Sequence, residues 1–179
     1  MSLLGWDAGD SSLFTANMFP TQRDSRLYLL LLLGLLGVVI AFHGAPGNLT
    51  PAQWFEVQHI NMTNSQCNIA MQPINRYLNS SGRRCKSFNT FLNTTFAAVA
   101  NVCTTRNVTC PSSQYTNCHN SSSQVSVTNC NLTTPSRIYT NCRYSQSQAL
   151  KFYTVACECR TRQDSVTHIQ VPVHLDRIF

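Results

Sequence analysis

The apolar residues fall into one unbroken run followed by a long stretch of short, interrupted patterns. Leu27 to Phe42 is almost wholly apolar, with Arg23 and Arg26 before it and His43-Gly44-Ala45-Pro46-Gly47 after it. At about sixteen residues the run is shorter than the roughly 20 of a comfortable membrane span, and its basic flank and small-residue exit are those of a cleaved signal peptide. Val39 and Ala41 satisfy the cleavage rule before Phe42. A cut a few residues later satisfies it almost as well, and an uncleaved anchor is the alternative that length disfavours. Residues 18–43 are thus read as the signal peptide and 44–179 as the exported domain. Residues 1–17 form an N-terminal extension in which Asp7 and Asp10 stand where a basic segment is expected, whereas a chain read from Met18 has an ordinary signal layout. The sequence leaves open whether the extension is a misplaced start or weakens targeting.

Beyond Pro51 the patterning predicts a single domain without repeats. Thr50-Pro51 opens a short amphipathic helix through Ile60 that carries Trp54, Phe55, Gln58 and His59. Ile69, Ala70, Met71, Ile74 and Tyr77 predict a second helix over 67–78, and a third is expected over 94–102. After that the period shortens. Residues 124–128, 152–157 and 168–174 alternate as strands do, and Asn- and Ser-rich stretches at 79–84 and 111–123 read as exposed loops. Helices first and antiparallel strands later define an α+β class. Strict alternation along Ile169 to Asp176 places His174 with Pro172 and Asp176, and turns Val171, Val173 and Leu175 toward a core.

Charge and cysteines narrow the setting. From residue 44 onward eleven Lys and Arg stand against four Asp and Glu, a formal +7 with neutral histidines. Such a domain attracts polyanions, including RNA, heparin-like glycans and anionic membranes. All nine cysteines follow the apolar run, which in an exported chain is a disulfide framework with one thiol left over. The absence of paired Cys-x-x-Cys motifs and of finger-spaced histidines argues against zinc, and no metal or cofactor is expected. Sequons at Asn48, Asn61, Asn79, Asn93, Asn107, Asn120 and Asn131 support export and predict surface positions, with Asn48 handicapped by Pro51.

The candidate chemistry lies in three separated strings: Gln58-His59-Ile60, Cys85-Lys86-Ser87-Phe88-Asn89-Thr90-Phe91 and Val171-Pro172-Val173-His174-Leu175-Asp176. A single helical histidine is more often structural than catalytic, and His119 and His168 are left in that class. Lys86 alone would be a surface lysine. Together, two imidazoles can serve as general base and general acid, and an ammonium can stabilise charge growing on a phosphoryl oxygen. That combination is a toolkit sufficient for cleaving RNA without a metal.

These strings resemble the pancreatic-type ribonuclease family, the ribonuclease A superfamily, over about residues 50–179. The Cys-Lys-x-x-Asn-Thr-Phe string at 85–91 is its signature, and the two histidine segments occur in the family's order. Gln53-Trp54-Phe55-Glu56, Cys130-Asn-Leu-Thr-Thr-Pro-Ser136 and Pro172 to Ile178 look most like its eosinophil branch. The resemblance implies a V-shaped antiparallel sheet with three helices, stapled by Cys67–Cys130, Cys85–Cys142, Cys103–Cys157 and Cys110–Cys118, with Cys159 as the spare thiol. It implies His59, Lys86 and His174 as catalytic residues. The implied substrate-binding set is Gln58, Asn89, Thr90, Asn117, Leu175 and Asp176. Within it Gln58 and the Leu175 N–H stabilise charge, Thr90 reads a pyrimidine, Asp176 orients His174, and Asn117, with Gln114 and Glu158, meets the downstream base. Implied partners are RNA and a ribonuclease inhibitor, for a monomeric secreted protein of the kind stored in granules and used in host defence.

Several residues depart from the family pattern. Val57, Trp54 and Pro111 stand at or near positions that are basic in pancreatic members, which implies weaker binding of long RNA and lower turnover. An insertion at Ser80 to Arg84 and a longer 110–118 loop add surface, and the spare Cys159 invites mispairing. The rival to a secreted ribonuclease is a cationic antimicrobial or polyanion-binding protein whose catalysis is incidental, and a third possibility is a member disabled by its spare cysteine or leader.

Overall fold

The computed structural model describes residues 45–60, 62–80 and 85–179. The extension and signal-peptide readings, the sequon at Asn61 and the inserted residues 81–84 lie outside the described residues. Within the unit Gly44–Phe179, helix α1 (Pro51–Phe55) runs into a π-helical turn (Glu56–Ile60), followed by α2 (Cys67–Ser80), strand β1 (Phe88–Leu92), α3 (Phe96–Val102), β2 (Cys118–Asn120), β3 (Val125–Thr134), a 3₁₀ turn (Tyr139–Asn141), β4 (Arg143–Lys151), β5 (Tyr153–Cys159) and β6 (Gln170–Ile178). The architecture is α+β, with three α-helices among the described residues and antiparallel strands. Hydrogen bonding divides those strands into two three-stranded sheets, ordered β1-β3-β4 and β2-β5-β6.

Helix α1 begins where the sequence says it should. The Thr50 hydroxyl accepts from the Gln53 N–H at 3.1 Å while the Gln53 carboxamide accepts from the Thr50 N–H at 3.0 Å, a reciprocal capping box with Pro51 in the first turn. Thr50 also donates to Asp164 in the loop before β6. Slight burial would raise the Asp164 pKa, but the hydrogen bonds from Thr50 and Thr161, together with Arg160, hold it below its ordinary value. Thr50 therefore ties the helix start to the loop ahead of β6. Replacing it with alanine should cost about 1–2 kcal/mol in a denaturant titration, and because this also destroys the Asn48 sequon the comparison belongs to unglycosylated protein.

The next turn differs from the single helix expected through Ile60. Glu56–Ile60 widens into π-helix, a distortion often found at functional sites, and ends on Gln58, His59 and Ile60. Side-chain periodicity does not report this change of backbone pairing.

Neighbouring aromatic residues on α1 feed two cores. Trp54 packs with Met71, Ile74, Phe91 and Tyr144, whereas Phe55 packs with Leu92, Val99, Val127, Tyr153 and Val155. Phe91 and Leu92 thus send adjacent β1 side chains into different clusters, as a strand buried on both faces must. The same burial encloses Asn89 and Thr90, whose polar groups then require partners.

Four disulfides join Cys67 to Cys130, Cys85 to Cys142, Cys103 to Cys157 and Cys110 to Cys118. Three of them bridge 54 to 63 positions of sequence. Each long closure, taken singly, removes unfolded-state entropy worth roughly 4 kcal/mol. Cys159 is free and exposed. The described sequon asparagines, Asn48, Asn79, Asn93, Asn107, Asn120 and Asn131, are all exposed.

Strand β6 corrects the alternation read from sequence. Its pairing passes from Cys157↔Pro172 to Ala156↔His174, and from Val155↔Leu175 to Thr154↔Arg177, so Val173 and Asp176 are each left over in the ladder. Strict two-residue alternation from Ile169 to Asp176 is interrupted there. Val171 and Pro172 are both buried, Val173 is half-buried, and Leu175 packs against the cluster containing Val155. Two bulges in one strand re-aim the side chains around His174.

Candidate active site

The π-turn, the segment leading into β1, and β6 bring the three sequence strings to one cleft of about 420 Å³. Gln58, His59, Lys86, Asn89 and Thr90 line it together with His174, Leu175 and Asp176. A larger groove of about 690 Å³ runs beside α2, but its lining offers Arg76 and two tyrosines and no imidazole or carboxylate. The smaller cleft is the one lined by two imidazoles, an ammonium and a carboxylate.

His59 is 8% exposed, and its Nδ1 lies 2.8 Å from the Thr90 carbonyl. A carbonyl only accepts, so Nδ1 carries the proton and Nε2 keeps its lone pair. Burial, followed by the Lys86 charge and, more weakly, His174, lowers the His59 pKa to about 3 against the opposing pull of the Thr90 hydrogen bond. The imidazole is therefore neutral above that pH.

Between about 3 and the ordinary value of 6.5, the unfolded chain binds a proton at His59 that the folded chain refuses. Stability is present above 6.5 and lost as pH falls, with a slope approaching about 1.4 kcal/mol per pH unit from this one site. Urea midpoints from pH 3.5 to 7 should show a flatter pH dependence in His59→Gln than in the unmodified protein.

Lys86 is held from three directions. Its Nζ donates to Asn89 Oδ1 at 2.8 Å, its N–H donates to Asn75 Oδ1 at 3.0 Å, and its carbonyl accepts from the Tyr144 hydroxyl at 2.9 Å. Asn75 in turn donates to Tyr144 at 2.9 Å. Burial raises the Tyr144 pKa despite the opposing Asn75 bond, so the phenol keeps the proton it donates. Burial also lowers the Lys86 ammonium to about 8.

Asn89 lines the cleft and also holds two of its neighbours there. Its Nδ2 donates to the Gln58 carbonyl at 2.8 Å while its Oδ1 receives Lys86, so both ends of the carboxamide are engaged within the protein. Asn89 links the π-turn to the lysine. Leucine of similar size would leave the Gln58 carbonyl and the ammonium without this partner, and Asn89→Leu should lower both stability, by about 1–3 kcal/mol, and turnover. Thermal unfolding and dinucleotide cleavage together measure this.

Thr90 is 4% exposed, and its hydroxyl donates to Asn129 Oδ1 at 2.8 Å. Asn129 is the cross-strand partner of Thr90 and also lines the cleft. Sequence reasoning missed it, although its place beside the disulfide cysteine Cys130 was a usable clue. Phe88 and Arg177 line the cleft as well, and Arg177 lies 5.6 Å from the Phe179 ring centroid. Asn117 is not part of the cleft wall. It is fixed to β5 by Nδ2 donating to the Cys157 carbonyl at 3.0 Å and by its own carbonyl accepting from the Cys157 N–H at 2.9 Å. Gln114 and Glu158 are exposed. His119 is buried, with Nδ1 at 2.9 Å from the Thr105 carbonyl, consistent with a structural histidine.

Asp176 takes part in an arrangement that sequence did not foresee. Its carboxylate accepts from the Ser112 N–H at 3.2 Å and from the Ser112 hydroxyl. The bond joins the 110–118 loop to β6 beside His174.

Comparison with known proteins agrees with this geometry. The family model for pancreatic ribonuclease matches residues 50–176, which include all three strings. The eosinophil cationic protein of Rattus norvegicus is 53% identical over 157 residues, covering 87% of this chain and 96% of that protein. With two imidazoles and an ammonium around one cleft, a disulfide-stapled α+β scaffold and both matches in agreement, the chain belongs to the pancreatic ribonuclease family and is a ribonuclease of its eosinophil branch.

Proposed function

We propose that the protein is a secreted, metal-independent endoribonuclease that cuts RNA on the 3′ side of pyrimidines. The observation that carries this reading is the meeting of His59, with its tautomer fixed by Thr90, Lys86 and His174 in one cleft. Neutral His59 takes the 2′-hydroxyl proton through Nε2, the resulting oxygen attacks phosphorus, and protonated His174 gives its proton to the departing 5′-oxygen. Lys86 Nζ and the Leu175 N–H offset charge on the nonbridging oxygens, with Gln58 as a further donor. Roles reverse when water opens the 2′,3′-cyclic phosphate. A phosphodiester anion in the cleft counters the Lys86 and His174 charges that depress His59, so the base strengthens once substrate is bound.

Thr90 supports pyrimidine reading, with its N–H and hydroxyl as the recognition pair and Asn129 as the partner that orients the hydroxyl. With the hydroxyl proton committed to Asn129, a lone pair is left for the N3–H of uracil, whereas cytosine requires the Asn129 amide to turn. Asn117 Oδ1 is the proposed acceptor for the downstream base. Export and a host-defence role are part of the proposal, supported by the similarity to an eosinophil protein and by the basic balance from residue 44 onward. The same basic balance favours the second reading, in which binding to anionic surfaces is the biological act.

One experiment tests the core of this reading: incubating the purified protein in chelator with a uridylyl-adenosine dinucleotide and following the phosphorus products. A 2′,3′-cyclic phosphate that later becomes the 3′-monophosphate is expected, with the 2′-deoxy analogue uncut. Cleavage that requires divalent metal, or that cuts the deoxy analogue, contradicts it.

A further inference from the structure

We infer that Ser112 is a positioning residue for the leaving-group histidine, acting through Asp176. This rests on the ribonuclease mechanism proposed above. Pro111 has no N–H to offer, whereas Ser112 supplies two donors, its N–H at 3.2 Å from one Asp176 oxygen and its hydroxyl on the other. Both carboxylate oxygens are therefore engaged by one loop residue. Asp176 follows His174 by two positions in β6 and is left over at the bulge between Leu175 and Arg177, so the ladder alone does not fix its orientation.

The loop that carries Ser112 is itself restrained. Cys110–Cys118 closes it, the Cys110 N–H donates to the Tyr115 carbonyl at 2.8 Å, and the Ser113 N–H donates to the Cys110 carbonyl at 3.1 Å. Val108 and Cys118 form a β-bridge, with the Val108 N–H 2.7 Å from the Cys118 carbonyl. The Asp176 carboxylate and the two disulfide sulfurs lie within 4.8 Å of one another. A closed loop thus presents both Ser112 donors to Asp176. The carboxylate is kept in one orientation in the cleft it shares with His174, and so stays in place as that imidazole gains and loses its proton.

The test is a cycle of variants assayed on uridylyl-adenosine. Ser112→Ala should lower kcat about tenfold with KM unchanged, since Ser112 does not line the cleft, and Ser112→Thr should restore it. In an Asp176→Ala background Ser112→Ala should have no further effect, because its route to His174 is gone. An equal loss in both backgrounds, or a fall in melting temperature with kcat unchanged, overturns the proposal. His174→Ala separates this from the mechanism beneath it. If that variant is inactive while Ser112→Ala is unaffected, only the Ser112 role fails; if His174→Ala retains full activity, the mechanism itself fails.

Discussion

Alanine at His59 should lower kcat for a uridylyl-adenosine dinucleotide by about 10²- to 10⁴-fold, and alanine at His174 should do the same, with little change in KM for either. The two losses differ in kind. His59, neutral and with Nδ1 committed to Thr90, is the residue suited to remove a proton, whereas His174 is assigned to supply one. A substrate whose 5′-leaving group is a nitrophenol needs no proton to depart. On that substrate the His174→Ala deficit should nearly vanish while the His59→Ala deficit remains. Equal deficits on both substrates would show that the roles are misassigned. The same two variants bear on the binding alternative, because antimicrobial action that survives in both belongs to the basic surface and not to the cleft.

Removing the ammonium is the second large effect. Lys86→Ala should lower kcat/KM by about 10²- to 10³-fold, the range for losing a donor aimed at transition-state charge. The pH dependence follows from its burial. The ammonium persists below about 8 and is lost as pH rises through that value, well before an ordinary lysine at 10.5 would titrate. Arginine at this position keeps its charge there. The ratio of unmodified to Lys86→Arg activity should therefore fall between pH 7 and 9, a comparison in which the titration of the histidines cancels. A constant ratio would mean that the Lys86 ammonium keeps its proton through pH 9. Stability moves in the opposite sense, rising over pH 8 to 10.5 because the unfolded chain holds the lysine proton more tightly than the folded one.

Sequence periodicity placed helices over 67–78 and 94–102, close to the observed 67–80 and 96–102, and strands over 124–128, 152–157 and 168–174, which fall on β3, β5 and β6 but stop short of the ends of β3 and β6, because an apolar stripe with a recognisable period marks only part of those strands. Arg143–Lys151 escaped because it is mostly exposed and has no apolar face to give it a period. The 88–92 string drew attention as a motif and not as a strand, since its Asn89 and Thr90 break the apolar pattern while being buried. The π-turn and the two β6 bulges are backbone events, invisible to side-chain counting, and they bear directly on the two histidines proposed as acid and base.

The site shows a similar division. His59, Lys86 and His174 were legible because each sits in a distinctive local string. The residues that hold them were not, because Asn75, Tyr144, Asn129 and Ser112 act across 11, 58, 39 and 64 positions of sequence respectively, through contacts that only the fold creates. Disulfide pairing was likewise beyond spacing and came only with the family resemblance.

The central claim is that His59, Lys86 and His174 act on a single phosphorus. The most direct measurement is the dissociation constant of a uridine–vanadate complex, whose five-coordinate centre imitates the transition state, set against that of uridine 3′-phosphate. Alanine at each of the three positions should weaken vanadate binding by more than about tenfold and weaken the phosphate much less, since only the former meets all three groups as the transition state does. Vanadate affinity unchanged in any one variant would remove that residue from the phosphorus and contradict the account.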